Sequence, residues 1–180
     1  KDTDINITLE ANRLAKKLIN YPIHIGLTEA GTITSGTVKS SYVLGTLLNE
    51  NIGNTIRVSL TTDPINEIYV AKEILKMTGN LNSPTIISCP TCGRTDHNML
   101  EIIEKIEPLI NKINHPLKIA IMGCVVNGPG EAKDADLGIA GGKHQVVLFK
   151  KGQIIRKIKE ENIIDELMEE INLLINEKES

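Results

Sequence analysis

The chain has 180 residues, of which 41% are hydrophobic, so it is long enough to bury one core or two small ones. A net charge of -3 and an aromatic content of 2% supply neither the basic field nor the stacking surfaces that nucleic-acid-binding proteins use. No apolar stretch approaches the roughly 20 residues that span a bilayer. We therefore expect no nucleic-acid and no membrane partner.

Residues 1–80 predict an alternation of helices and short strands. Helices are expected over 5–19 and 35–48, and a third begins at Asp63-Pro64, an N-cap followed by a first-turn proline, and ends near Gly79. Strands are expected over 22–27 and 55–60. The apolar stripes expected in the core are Ile7, Ala11, Leu14, Ala15 and Leu18 in the first helix and Ile65, Ile68, Ala71, Ile74 and Leu75 in the third. This order is typical of parallel βα units, and two strands cannot close a sheet, so the segment predicts the end of a TIM-type α/β barrel.

The polar, turn-rich segment 79–84 marks the expected domain boundary, with one domain over 1–80 and a second over 81–180. The second domain predicts a mixed α+β fold. Strands are expected over 85–88, 117–122, 138–140, 145–149 and 154–158, with helices over 98–113 and after Asn162. A turn at Lys151-Gly152 should join the last two strands.

Three cysteines follow two of these strands. Cys89 and Cys92 form a Cys-Pro-Thr-Cys pair after the first strand of the second domain, and Cys124 comes after the second strand. Three thiolates can hold a soft metal centre, and they leave one position for another kind of ligand. Glu131 lies seven residues after Cys124, beyond a glycine-rich segment (127–130) that should bend the backbone. This carboxylate is either an oxygen ligand that swings back towards the metal or a solvated loop residue.

The cysteines alone leave several interpretations open. They could be unconnected buried thiols, a zinc site completed by His97 or His144, or a thioredoxin-like dithiol that would leave Cys124 unused. An iron–sulfur cluster uses all three thiolates. An odd number of cysteines that includes a Cys-x-x-Cys pair is untypical of secreted disulfide frameworks, so we expect a cytoplasmic location, or a plastid-type stroma in a eukaryotic host.

Polar residues also stand at the ends of the barrel strands, where the chemistry of such barrels lies. Glu29 follows the first strand within Thr-Glu-Ala-Gly, where it is either a catalytic carboxylate or an ordinary loop residue. Arg57 and Ser59 alternate along the second strand, so both side chains should point to one face. This pair suits an anionic ligand, because arginine binds phosphate oxygens through a planar fork. His24 is interpreted as a core histidine.

Four segments taken together resemble the family of 4-hydroxy-3-methylbut-2-enyl diphosphate synthases, the iron–sulfur reductases of the non-mevalonate isoprenoid pathway. These segments are 21–31, 57–60, 89–92 and 123–132, and the resemblance extends over essentially the whole chain. It implies a TIM barrel joined to a [4Fe-4S] domain related to that of sulfite and nitrite reductases. The reaction implied is reductive ring opening and dehydration of 2-C-methyl-D-erythritol 2,4-cyclodiphosphate, with electrons from flavodoxin or ferredoxin, in a head-to-tail homodimer.

The resemblance also assigns roles to residues. It implies that Cys89, Cys92, Cys124 and Glu131 hold the [4Fe-4S] cluster, and that Glu131, as the harder ligand, leaves one iron an exchangeable position. Glu29 is implied in proton transfer. The implied substrate contacts are Lys1, Arg57 and Ser59 on the diphosphate, and Asn127 near the cluster. Only about the last quarter of the barrel is present, so we expect a fragment that is inactive alone. The alternative is a non-catalytic module in which zinc or a cluster only holds the domain together.

Overall fold

The computed structural model describes residues 1–90, 92–93, 95, 98–142 and 145–179. The chain divides into two compact units, Lys1–Leu81 and Asn82–Ser180. None of the helices in the described part of the chain is both long enough and apolar enough to cross a membrane.

The first unit contains the predicted alternation of helix and strand. Its elements are α1 (Ile5–Leu18), β1 (His24–Gly26), α2 (Ile33–Asn49), β2 (Thr55–Arg57) and α3 (Pro64–Met77). The two strands pair in parallel, with His24 beside Thr55 and Gly26 beside Arg57. Both are three residues long, shorter than the sequence predicts.

Local hydrogen bonds explain where the helices of this unit begin and end. The Asp4 carboxylate accepts from the backbone N–H of Ile7 at the start of α1, and the Asp63 carboxylate accepts from Ile65 at the start of α3. These side chains satisfy N–H groups that have no partner within the helix. Gly79 has a φ of +70° just after α3, which confirms its predicted role in ending that helix.

The predicted apolar stripes of α1 and α3 are wrong in part. Ile7, Leu14 and Leu18 are exposed, and so are Ile65 and Ile68. Ile74 of the predicted α3 stripe is buried as expected, and Ala15 and Ala71 pack against the core. The core consists of Leu9, Ile23, Ile25, Leu27, Ala30, Val43, Leu44, Leu47, Ile52, Val58 and Ile74. Each of these helices has apolar residues on more than one side, and a sheet of two strands covers only one side of each helix.

The second unit is a five-stranded sheet with helices. Its elements are β3 (Thr85–Ser88), α4 (Met99–Ile110), β4 (Lys118–Met122), α5 (Gly128–Glu131), β5 (Leu137–Gly142), β6 (Gln145–Lys150), β7 (Gln153–Ile158), a 3₁₀ turn (Glu160–Asn162) and α6 (Ile163–Glu179). The strands lie in chain order; β3, β4 and β5 are parallel, and β5, β6 and β7 are antiparallel. All five predicted strands are confirmed.

Alternate residues of this sheet form two separate cores, as the strand period of two requires. One core packs against α4 and α6 and includes Ile119, Ile121, Ile139 and Leu148. The other contains Ala120, Ala140 and Phe149 and is covered by Ala132, Ala135 and the partly buried Cys89 and Val125. The loop that carries Cys124 therefore lies against the second core.

Two details differ from the sequence predictions. Residues 127–130 do not form a simple bend, because Gly128–Glu131 is one turn of α-helix. Asn162 was expected to cap α6 but closes the 3₁₀ turn that leads into it. The predicted turn at Lys151-Gly152 is confirmed: both residues have positive φ, +49° and +77°, as in the two-residue hairpin turns that suit twisted strands.

Candidate functional site

Two of the predicted ligand positions meet at the ends of neighbouring parallel strands. Ser88 of β3 pairs with Ile121 of β4, so both chains leave the sheet side by side. Just beyond, the backbone N–H of Gly123 donates a hydrogen bond of 3.1 Å to the sulfur of Cys89. The structure thus places Cys89 against the residue that precedes Cys124.

Close packing surrounds this junction. A Cβ atom on Gly123 would lie 2.8 Å from Thr95 Oγ1 and 2.9 Å from Met99 Sδ, so only glycine fits without movement. The sulfur of Met99 is 3.9 Å from that of Cys89. Thr95 and Met99 were not predicted from the sequence, although the start of α4 so soon after the cysteine pair indicates that this helix packs against the pair.

Thr95 also fixes the backbone of Cys92. Its hydroxyl accepts a hydrogen bond of 3.2 Å from the N–H of Cys92, and its own N–H donates to the Cys92 carbonyl at 3.0 Å. The side chain of Cys92 is exposed, whereas Cys89 and Cys124 are half-buried. All three cysteines are free thiols.

The segment after Cys124 follows helical turns. The N–H of Gly128 bonds to the carbonyl of Cys124, and the N–H of Glu131 bonds to the carbonyl of Asn127. A helical path advances about 1.5 Å per residue, so it keeps Glu131 far nearer to Cys124 than seven extended residues would. Glu131 is exposed and Asn127 is half-buried. Glycine is required at 128, where a Cβ would lie 2.8 Å from that of Met122.

The described residues do not form a ready-made metal site, because no three His, Cys, Asp or Glu side chains among them are close enough to hold one ion. A lone zinc ion needs all its donors about 2.0–2.3 Å away, whereas a cluster spreads its thiolates over several irons. Two free thiols at adjacent strand ends and one in a neighbouring turn have the right chemistry for a cluster. His97 and His144, the ligands of the zinc alternative, lie outside the described residues.

A second group of functional candidates lies in the first unit. Gly26 leaves space on the β1–β2 pair: a Cβ there would lie 2.9 Å from the carbonyl oxygen of Arg57 and 3.2 Å from Cε of Lys1. Lys1 and Arg57 therefore share one face. Arg57 Nη2 donates a weak hydrogen bond of 3.4 Å to Thr28 Oγ1. Burial and the charge of Arg57 lower the pKa of Lys1.

His24 belongs to this face and is exposed, so its interpretation as a core histidine is wrong. Ser59 is half-buried two residues after Arg57, beyond the end of β2. The sequence placed Thr28 at a strand end, but its contact with Arg57 was not predicted, because that contact depends on the parallel register.

Glu29 has an unusual backbone conformation. Its φ of +51° falls in the left-handed region, which non-glycine residues seldom occupy. It directly follows Thr28, the partner of Arg57, and its side chain is exposed. Backbone strain of this kind is concentrated at functional sites, where the surrounding structure compensates for it.

Comparisons with known proteins agree with these observations. The GcpE TIM-barrel domain matches residues 1–72, and the GcpE protein C-terminal domain matches residues 85–173. Relatives named 4-hydroxy-3-methylbut-2-en-1-yl diphosphate synthase (flavodoxin) include those of Clostridium acetobutylicum and Ruminiclostridium cellulolyticum, each 56% identical over 96% of this chain. The Bacillus subtilis protein of the same name is 49% identical over 98% of it.

The matched segments cover 50%, 49% and 47% of these three relatives, so the chain spans about half the length of the curated relatives it matches. The two domain matches fall one in each unit of the structure and together cover most of the sequence. The chain belongs to the GcpE family.

Proposed function

We propose that this chain forms the cluster-binding half of an enzyme that reduces 2-C-methyl-D-erythritol 2,4-cyclodiphosphate to 4-hydroxy-3-methylbut-2-enyl diphosphate. Two electrons and a proton enter, the ring C–O bond at C2 breaks, and water leaves. The names of the relatives support flavodoxin as the electron donor. We also propose that the enzyme is a head-to-tail homodimer and is located in the cytoplasm. We propose further that its cluster domain is related to that of sulfite and nitrite reductases.

The observation that carries the proposal is the contact between Cys89 and Gly123, at strand ends that also bear Cys124. A purely structural metal site would not need a carboxylate in the helical turn that follows. The proposed cluster ligands are Cys89, Cys92, Cys124 and Glu131. When bound, a [4Fe-4S] cluster supplies single electrons and a Lewis-acidic iron.

The residues of the first unit perform the other tasks. Lys1 and Arg57 lie on one face and provide positive charge for the diphosphate, with Ser59 as a further hydrogen-bond donor. Gly26, which has no side chain, leaves room for the Lys1 side chain beside Arg57. Glu29, three residues after β1, is exposed, and its proposed role is to move a proton to or from the bound substrate. In the second unit, Asn127 is half-buried beside α5, and its proposed role is to offer an amide to a substrate bound near the cluster.

A hybrid enzyme tests the proposal. This chain replaces the matching half of the Clostridium acetobutylicum relative, and the product is purified without oxygen. We expect bound iron and sulfide, absorption near 400 nm, and consumption of the cyclodiphosphate with reduced flavodoxin. Serine at Cys89, Cys92 or Cys124 should remove both iron and activity.

Val126→Ala is the matched control, because Val126 lies in the same loop and its side chain is 80% exposed. This variant should retain iron and activity. A colourless hybrid that contains zinc would support the non-catalytic module instead. A brown hybrid that transfers electrons but leaves the cyclodiphosphate unchanged would contradict the proposed substrate.

A further inference from the structure

His24 lies on the cationic face of the first unit, which is the side of the β1–β2 pair that carries Lys1 and Arg57. Its Nδ1 lies 2.8 Å from the hydroxyl of Thr55, its register partner on β2. His24 and Gly26 are two residues apart on β1, so both project to the face that Lys1 and Arg57 occupy. With Nδ1 engaged by Thr55, Nε2 is the ring nitrogen left for another ligand.

The charges on this face are unbalanced. Within the described part of the chain, no carboxylate forms an ion pair with Lys1, His24 or Arg57. Two other arginines in the chain are paired: Arg13 with Glu50, and Arg156 with Glu166 and Glu170. An uncompensated lysine and arginine beside a histidine favour an anionic ligand.

We propose that His24 is a third ligand of the anion held by Lys1 and Arg57, and that it takes up a proton when the anion binds. The proposal rests on the function proposed above, in which this face receives the diphosphate. It adds a binding residue and makes binding depend on pH.

Partial desolvation, followed by the charges of Lys1 and Arg57, lowers the pKa of His24 below its usual value in the free protein, which favours the neutral imidazole. The charge of Lys1 acts on the ring from the N-terminal segment and that of Arg57 from β2, where the Thr55 hydroxyl also contacts the ring. The carboxylate of Glu29 is not among the charges that shift its pKa. An anion bound between these groups favours the imidazolium and raises the pKa.

The direction of the pH effect follows from proton counting. At pH values between the pKa of His24 in the free protein and its pKa in the complex, the complex binds more protons than the free protein. Anion affinity should therefore increase as pH falls through the pKa of His24 in the complex, and it should level off below the pKa of His24 in the free protein.

Histidine NMR with sulfate as the probe tests this. Sulfate remains a dianion across the range used, so its own titration cannot cause a pH effect. The chain has four histidines, and His24→Gln identifies the resonances of His24. We expect saturating sulfate to raise the pKa of His24, and sulfate affinity to fall about fivefold between about pH 6 and about pH 8. His24→Gln should bind weakly and without this pH dependence.

Chloride at equal ionic strength is the control, because screening of Lys1 and Arg57 alone would also raise the pKa. Arg57→Gln should weaken sulfate binding while leaving His24 titratable. If sulfate shifts the Arg57 resonances but moves the pKa of His24 no more than chloride does, the role of His24 is refuted. The proposed reaction, which turnover of the hybrid enzyme tests, would not be affected by that result. If sulfate perturbs neither residue, both this inference and the anion-binding role of the face fail.

Discussion

Gly123 donates its backbone N–H to the sulfur of Cys89 across 3.1 Å, and this bond joins the end of β4 to the end of β3. Hydrogen bonds to ligand sulfurs influence the reduction potential of iron–sulfur clusters. The same glycine has no space for a side chain, because Thr95 and Met99 lie against its Cα. Position 123 therefore has a steric requirement for glycine, and in the proposed cluster site its N–H would also tune the ligand sulfur of Cys89.

Gly123→Ala should destabilise the second unit by about 1–3 kcal/mol, because the added methyl would overlap Thr95 Oγ1 and Met99 Sδ. Iron content after anaerobic reconstitution should also fall, since the methyl displaces the loop that carries Cys124. Urea unfolding followed by circular dichroism measures the first effect. Gly130→Ala is the control, because nothing lies within 4 Å of its added Cβ. Equal stability of the two variants would contradict the packing argument.

Glu29→Gly should stabilise the first unit by about 0.5–1 kcal/mol, because glycine adopts a φ of +51° without the steric cost that other residues bear. The same change should abolish turnover in the hybrid enzyme by removing the carboxylate. All three tyrosines, Tyr21, Tyr42 and Tyr69, lie in this unit, so tyrosine fluorescence during urea unfolding reports its stability.

Lys151→Gly is the matched control for this trade-off. Lys151 has a φ of +49° in the hairpin turn between β6 and β7, and its side chain is exposed. Glycine there should give a similar gain, measured on the second unit, without loss of activity. If Lys151→Gly stabilised the second unit while Glu29→Gly destabilised the first, backbone strain would not account for the behaviour of position 29.

Patterns of local sequence predicted most of the fold. The Asp63-Pro64 cap and Gly79, the strand after Pro84 and the Lys151-Gly152 turn depend on neighbours in the chain, and all were correct. The prediction of which residues of α1 and α3 are buried was wrong in part, because periodicity shows that a helix has an apolar side but not which element will cover it.

The candidate site was predictable only where its residues share a motif. Cys89, Cys92 and Cys124 were recognisable from their spacing and from the strands before them. Met99 and His24 were not, since their positions depend on contacts between segments distant in sequence. The helical turns from Cys124 to Glu131 were missed because glycine and proline normally mark a bend rather than a helix.

Arg156→Met should destabilise the second unit by about 1–2 kcal/mol. Arg156 holds Glu166 and Glu170 at 2.7 and 2.5 Å, and Glu170 is only 8% exposed, so the substitution leaves a buried carboxylate without its partner. Water reaches about a third of Arg156, which keeps the loss below that of a fully buried pair. Urea unfolding measures it.

Arg13→Met provides the comparison for Arg156. Arg13 pairs with Glu50 at the surface of the first unit, where solvent screens both charges. Little change in stability is expected. If the two substitutions had equal effects, burial of Glu170 would not explain the result.

Glu131→Cys should preserve bound iron but reduce turnover of the hybrid enzyme by at least tenfold. A thiolate is a softer and more persistent ligand for iron than a carboxylate, so the substituted site loses its exchangeable position while keeping four donors. Iron analysis and cyclodiphosphate consumption measure the two effects on the same preparation. Asp134→Asn, an exposed carboxylate three residues further on, is the control and should change neither. Undiminished turnover by Glu131→Cys would exclude a need for an oxygen ligand, whereas loss of iron would mean that position 131 cannot supply a sulfur donor.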